Sequence, residues 1–304
     1  MTPTRAFEAE AALAAFVLAP SGAEMAGALK NGKTQVWSVA GKPLRSWASP
    51  GRPRARGGAR AMGRALFYAG DRRIVAVEGG YVAVLDASSG RKVAAWEAHE
   101  RDIESVSAAN DGSLLATASD DGTVKLWEPD GSAVRTIAGG PGEIVGVAVS
   151  PGGERIAGAG SDANIRLFDG KTGSIRHVLD LEMSCFALAF SVDGRTLAAG
   201  SVDGSLTLWD AESGAARGTL GRYAVPVGAV RFSADGKRLA STGLSINPPT
   251  AETEARVWDL STRKVTATPI GISNWNTVGF APDGRPIVVG IRDRTVSVWE
   301  LPLE

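Results

Sequence analysis

The chain has one cysteine and two histidines in 304 residues. A single cysteine excludes a disulfide within the chain. A zinc site of Cys and His ligands would need Cys185, His99 and His177 together, and each lies in a different part of the sequence. An excess of one charge is also lacking, with 33 basic residues against 33 acidic. That balance argues against a protein held to nucleic acid or a membrane by bulk charge, which needs a basic footprint. No apolar run approaches the ~20 residues of a membrane span. Residues 11–19 (AALAAFVLA) look at first like the apolar core of a signal peptide. Glu8 and Glu10 stand before them against Arg5, whereas a secretory leader opens with positive charge, so the segment reads as a strand. A cytoplasmic protein is the default expectation. No Walker loop, GxSxG or HExxH occurs, so no cofactor or metal is expected.

What is present is repetition. One short phrase returns seven times: TQVWS at Trp37, VAVLD at Leu85, VKLWE at Trp127, IRLFD at Phe168, LTLWD at Trp209, ARVWD at Trp258 and VSVWE at Trp299. The steps between these anchors are 48, 42, 41, 41, 49 and 41 residues. A period near forty that ends in Trp-Asp marks an array of propeller blades. Seven such units use almost the whole chain, which favours one closed domain over the two that length alone suggests.

The third repeat shows the unit most clearly. Ile103 to Ala108 runs to the turn Asn110-Asp111-Gly112, Leu114 to Ser119 to Asp120-Asp121-Gly122, and Thr123 to Trp127 to Pro129-Asp130-Gly131; Val134 to Ile137 follows. Short alternating runs bounded by Asp-Gly turns read as β-hairpins, and four in succession make an antiparallel blade. Two apolar columns align across the repeats: Leu13, Met62, Ile103, Ile144, Cys185, Val227 and Trp275, then Leu18, Phe67, Ala108, Val149, Phe190, Phe232 and Phe280. The expected fold is all-β: a seven-bladed β-propeller of four-stranded antiparallel blades. Its blades fall at about 11–47, 48–96, 97–137, 138–179, 180–220, 221–266 and 267–304. The chain closes with a third strand at Trp299, so residues 1–10 are expected to supply the outer strand of the last blade.

These residues resemble the WD40-repeat family over essentially the whole chain, and the richness in Ala, Gly and Arg suggests a GC-rich bacterial genome. The resemblance implies a structural tetrad in the third repeat: His99, Ser119, Asp121 and Trp127. Asp162, Asp203 and Asp293 keep the Asp six residues before their anchors, whereas the second repeat has lost both Asp and Trp. Tyr223 occupies the place of His99, either as a substitute member or as a solvent-facing residue. His99, Ser119 and Asp121 could also be offered as a catalytic triad; the spacing favours the structural tetrad, since nothing marks an exposed nucleophile beside an oxyanion hole. Cys185 reads as a packed core residue, His177 as a solvated one, and the Asp-Gly pairs as turns rather than calcium loops.

Two departures from the period point to a binding face. Extra residues enter at roughly 50–60, and at roughly 245–254. The stretch around the first carries Arg52, Arg54, Arg56, Arg60 and Arg64 with no acid among them. In an up-and-down blade both connections emerge on one face, and insertions confined to one face often mark the binding face. Arg forks suit phosphate or a carboxylate-rich peptide; the same loop reads also as a solvated Gly/Pro/Arg connection. The expected function is a non-catalytic scaffold for a protein or peptide partner, as a subunit of a larger assembly. Contacts are placed at Arg52, Arg54, Arg56 and Arg60, with Lys30, Arg101 and Arg292 added from the family frame. An alternative is a small-ligand binder or enzyme using the central channel. A third is nucleic-acid or phosphate binding through residues 52–64, which would be salt-sensitive.

Overall fold

Alternating apolar runs separated by tight turns pair most readily with their sequence neighbours, as antiparallel hairpins. The computed structural model describes residues 2–48, 64–68, 72–244, 253–271 and 275–301, and these form 28 strands in seven four-stranded antiparallel sheets. Six sheets take their strands in sequence order, and each is one blade. The seventh joins Trp275–Phe280, Pro286–Arg292 and Thr295–Glu300 to the N-terminal strand Arg5–Glu8.

That N-terminal strand closes the ring, as expected. It pairs from Arg5 opposite Val298 to Glu8 opposite Thr295. Arg5 forms a salt bridge with Glu300 at 2.8 Å, and the Arg294 guanidinium donates to the Ala9 carbonyl at 3.2 Å. Phe7 meanwhile packs on Trp37 of blade 1, with ring centroids 5.8 Å apart. The strand is thus hydrogen-bonded to the last blade and packed against the first.

The inner strands are Leu13–Leu18, Arg64–Tyr68, Ile103–Ala108, Ile144–Val149, Cys185–Phe190, Val227–Phe232 and Trp275–Phe280. Each adjoins the next, and the last adjoins the first. Both faces of every blade therefore meet a neighbour, and the core lies in the seams. Between blades 3 and 4, for example, Ala116, Ala118, Val124 and Leu126 pack with Ile144, Val147, Ile156 and Phe168. The first predicted column is buried at Leu13, Ile103, Ile144, Cys185 and Val227. Met62 and the side chains of Phe67 and Trp275 lie outside the described residues.

Three details differ from the sequence expectation or extend it. The outer strands overrun the expected blade ends; that of blade 6 spans Val265–Gly271 because its partner, Thr253–Asp259, is lengthened and pairs with it from Thr253 to Trp258. The inner strands of blades 1, 3, 4, 5 and 6 all bulge at their second residue: Ala14, Glu104, Val145, Phe186 and Gly228. A bulge lifts one residue out of the ladder and re-aims its side chain. The outer strands also reach across the seams. Trp96 sits over Gly131, whose φ of +94° suits glycine and where an added Cβ would come within 2.6 Å of the indole. His177, expected to be solvated, is seated on Gly214 in the same way and holds the Glu212 carbonyl at 2.8 Å through Nε2. Among the described residues no helix is long and apolar enough to cross a membrane.

Candidate functional site

The strongest chemical constellation in the sequence proves to be a buried clamp within blade 3. Trp127 ends the third strand, and His99 enters just before the inner strand. The Trp127 indole N–H donates to the Thr117 hydroxyl oxygen at 2.9 Å. His99 Nε2 lies 2.7 Å from the same oxygen, and His99 Nδ1 lies 2.8 Å from Asp121 Oδ2. One assignment satisfies every group: the indole donates to Thr117, Thr117 donates to Nε2, and Nδ1–H donates to the carboxylate. Thr123 adds hydrogen bonds to Asp121 Oδ1 from its backbone N–H, at 3.0 Å, and its hydroxyl, at 2.6 Å.

The hydroxyl of this set belongs to Thr117, where Ser119 was expected. Both residues lie on one face of the strand, but the ladder sets Thr117 opposite Lys125, two residues from Trp127. Ser119 is two residues further along, about 7 Å away at the strand rise. Its hydroxyl oxygen instead accepts the Asp121 backbone N–H at 3.1 Å and fixes the turn.

The chemistry of a Thr-His-Asp relay is present, but its geometry is closed. Thr117 is 0 % exposed, and its oxygen already receives the indole. Burial holds the His99 imidazole below its ordinary pKa, against the opposing pull of Asp121, so the ring stays neutral near pH 7. Cys185 is buried as well, and burial pushes its thiol up to about 12, far from a reactive thiolate. Among the described residues no group of three His, Cys, Asp or Glu side chains is placed to hold a metal ion.

Other blades keep parts of the clamp and replace the rest. In blade 6 Tyr223 takes the tetrad place: its hydroxyl lies 2.6 Å from Ser241 Oγ, which accepts the Trp258 indole N–H at 2.9 Å. Ser241 pairs with Arg256 as Thr117 pairs with Lys125, so register predicts the hydroxyl in both blades. In blade 4 Asp162 is gripped by Arg166 at 2.5 and 3.1 Å, and that guanidinium lies against Gly140, whose missing side chain leaves it room. Blade 5 has Ala199 at the hydroxyl position, and there the buried Trp209 indole N–H has no partner.

The candidate contact residues distribute as follows. Arg52, Arg54, Arg56 and Arg60 lie outside the described residues, as do residues 245–252. The strand ends that these segments join are described: Ala48 to Arg64, outer strand to inner, and Gly243 to Thr253, second strand to third. In antiparallel blades both kinds of connection open on one face, here termed upper. Lys30, Arg101 and Arg292 are exposed on that face. Lys30 and Arg292 stand in the neighbouring blades 1 and 7, and Arg101 stands in blade 3, where its guanidinium donates to the Asp120 carbonyl at 3.1 Å.

The WD40 family, described as WD domain, G-beta repeat, matches residues 90–128, 131–169 and 175–210. These segments cover the third to fifth repeats, where the Trp or Phe anchor and the Asp turns are best kept. No curated protein matches the chain. Three matched repeats, within a ring of seven four-stranded blades closed by the N-terminal strand, place this chain in the WD40-repeat family.

Proposed function

We propose that the chain is a non-catalytic scaffold that binds a protein or peptide partner across its upper face. WD40 propellers are commonly interaction scaffolds and generally not enzymes. The observation that carries the reading is the placement of the two departures from the repeat period. Both the 49–63 and the 245–252 segments connect strand ends on the upper face, which also bears Lys30, Arg101 and Arg292. The two constellations that could suggest catalysis are committed to packing. The clamp of His99, Thr117, Asp121 and Trp127 is buried, and so is Cys185. A rigid ring with loops on one side works by display: it holds several loops in fixed relation, so a partner segment pays little ordering cost on the scaffold side.

The partner contacts in this reading are Arg52, Arg54, Arg56 and Arg60, flanked by Lys30, Arg101 and Arg292, in a cytoplasmic assembly. Neutral overall charge favours a protein over nucleic acid as partner. The test is affinity capture from the native host, with identification by mass spectrometry. A variant with the four loop arginines replaced by Ala should keep its melting temperature and lose the partner. Equal recovery with the variant would refute this site.

A further inference from the structure

The upper face of blades 3 to 5 carries carboxylates that run into two exposed apolar side chains. Asp102, Glu104 and Asp120 belong to blade 3, and Glu143 begins blade 4. Contacts tie them into one surface. The Asp120 N–H donates to the Asp102 carbonyl at 3.1 Å. Gly122 abuts Gly142, whose carbonyl would stand 3.0 Å from an added Cβ. Glu143 and Ser161 exchange two bonds, at 2.9 and 3.2 Å. Ser184 of blade 5 then donates to the Ser161 carbonyl at 3.4 Å. Ser184 follows Met183, which is 48 % exposed, and precedes the bulge, where Cys185 and Ala187 are buried and Phe186 is 42 % exposed. Phe186 is the one exposed aromatic side chain among the described residues.

The Asp120 carboxyl lies among like charges. Burial, and after it the like charges of Glu104, Glu143 and Asp102, raise the Asp120 carboxyl above its ordinary pKa against the opposing pull of Arg101. Among the described residues, no basic side chain forms a salt bridge with Asp102, Asp120 or Glu143. Nor are these acids arranged to share a metal ion. An exposed aromatic beside unpaired charge has the make-up of an interface anchor with a charged rim.

We infer that this surface docks a basic segment of a partner protein, with Lys or Arg side chains against Asp102, Asp120 and Glu143 and an apolar side chain against Met183 and Phe186. The inference rests on the upper face being the partner-binding face. It adds the partner's chemistry, and it uses blades 3 to 5 rather than the arginine-bearing connection; of the contacts proposed above only Arg101 adjoins it, with its guanidinium held by the Asp120 carbonyl at 3.1 Å. Positive charge relieves the repulsion around Asp120, while burying Phe186 fixes the register that charge alone leaves loose.

The test uses the full chain and two fluorescein-labelled twelve-residue peptides in an anisotropy titration. One has Lys-Arg on each side of a Leu-Phe pair, and the other has Glu at every basic position. The basic peptide should bind and the acidic one should not. Glu143→Lys and Phe186→Ala, both at exposed positions, should each weaken binding by about fivefold or more. The variant with four loop arginines replaced by Ala should bind the basic peptide as the parent does. That separates this surface from the loop, because partner capture can survive the arginine variant while peptide binding still follows Phe186. No binding of the basic peptide would overturn the inference. So would binding indifferent to Phe186→Ala or to Glu143→Lys, or displacement by an equivalent of calcium.

Discussion

Trp127 and Thr117 meet through a 2.9 Å hydrogen bond from indole to hydroxyl, and this bond links the sequence repeat to the stability of a blade. The anchor of the repeated phrase is a donor that must find an acceptor when buried, since an unsatisfied buried group costs about 1–3 kcal/mol. Thr117→Ala leaves both the indole and His99 Nε2 without their partner, so a loss of about 2–4 kcal/mol is expected. Ser119→Ala removes one turn hydrogen bond and should cost about 0.5–1.5 kcal/mol. Chemical denaturation of both variants checks the order; a larger loss at Ser119 would return the tetrad role to that residue.

Blade 5 offers the reverse experiment. Trp209 lacks a hydrogen-bond partner, and Ala199 stands at the register position of Thr117. Ala199→Ser supplies an acceptor there and should stabilise the fold by about 0.5–1 kcal/mol. Denaturation midpoints of the two proteins decide it, and a clear loss of stability would mean that the serine cannot reach the indole.

The clamp also sets a pH dependence. His99 has a folded pKa below its unfolded value, with burial as the main cause. The unfolded chain therefore takes up a proton first, near about pH 6.5. Stability is full above that value and declines as pH falls toward the folded pKa, below which this contribution changes no further. Asp121 acts in the carboxylate range: hydrogen bonds from Thr123 and His99 outweigh its burial and lower its pKa, so its contribution is lost as pH falls below about 4. Melting temperatures of the parent and His99→Gln between pH 7.5 and 5.5 should converge as pH drops. A gap that does not change with pH would contradict the buried neutral imidazole.

Ring closure depends on a strand of four residues. Removing residues 1–9 takes away the pairing of Arg5–Glu8 with the last blade, the Arg5–Glu300 salt bridge and the Phe7–Trp37 contact. A fall in melting temperature of about 10 °C is expected, since roughly 3 kcal/mol or more is lost at a few degrees per kcal/mol. An unchanged melting curve would show that the ring is held without this strand.

The sequence reveals what is local and conceals what depends on register or on a neighbouring blade. The anchors at Trp37 to Trp299 and the Asp-Gly turns are legible because alternation and turn chemistry act within a hairpin. The choice of Thr117 over Ser119 is not, because residues two apart share a face and only the ladder opposite Lys125 decides between them. Arg166 replaces the histidine of blade 4 from the third strand, a position with no counterpart in the tetrad pattern. The seats of Trp96 on Gly131 and His177 on Gly214 join residues about 35 positions apart in different blades, which no short-range pattern records. The upper-face acids lie on separate turns and converge only when blades 3 and 4 stack.

The claim that the chain works by display on its upper face is tested most directly by hydrogen exchange on the captured complex. Partner binding should slow exchange in the upper connections, residues 98–102, 139–143 and 181–184, and leave the lower turns at 109–114, 150–154 and 191–195 unchanged. Protection confined to those lower turns, with none on the upper face, would contradict the account.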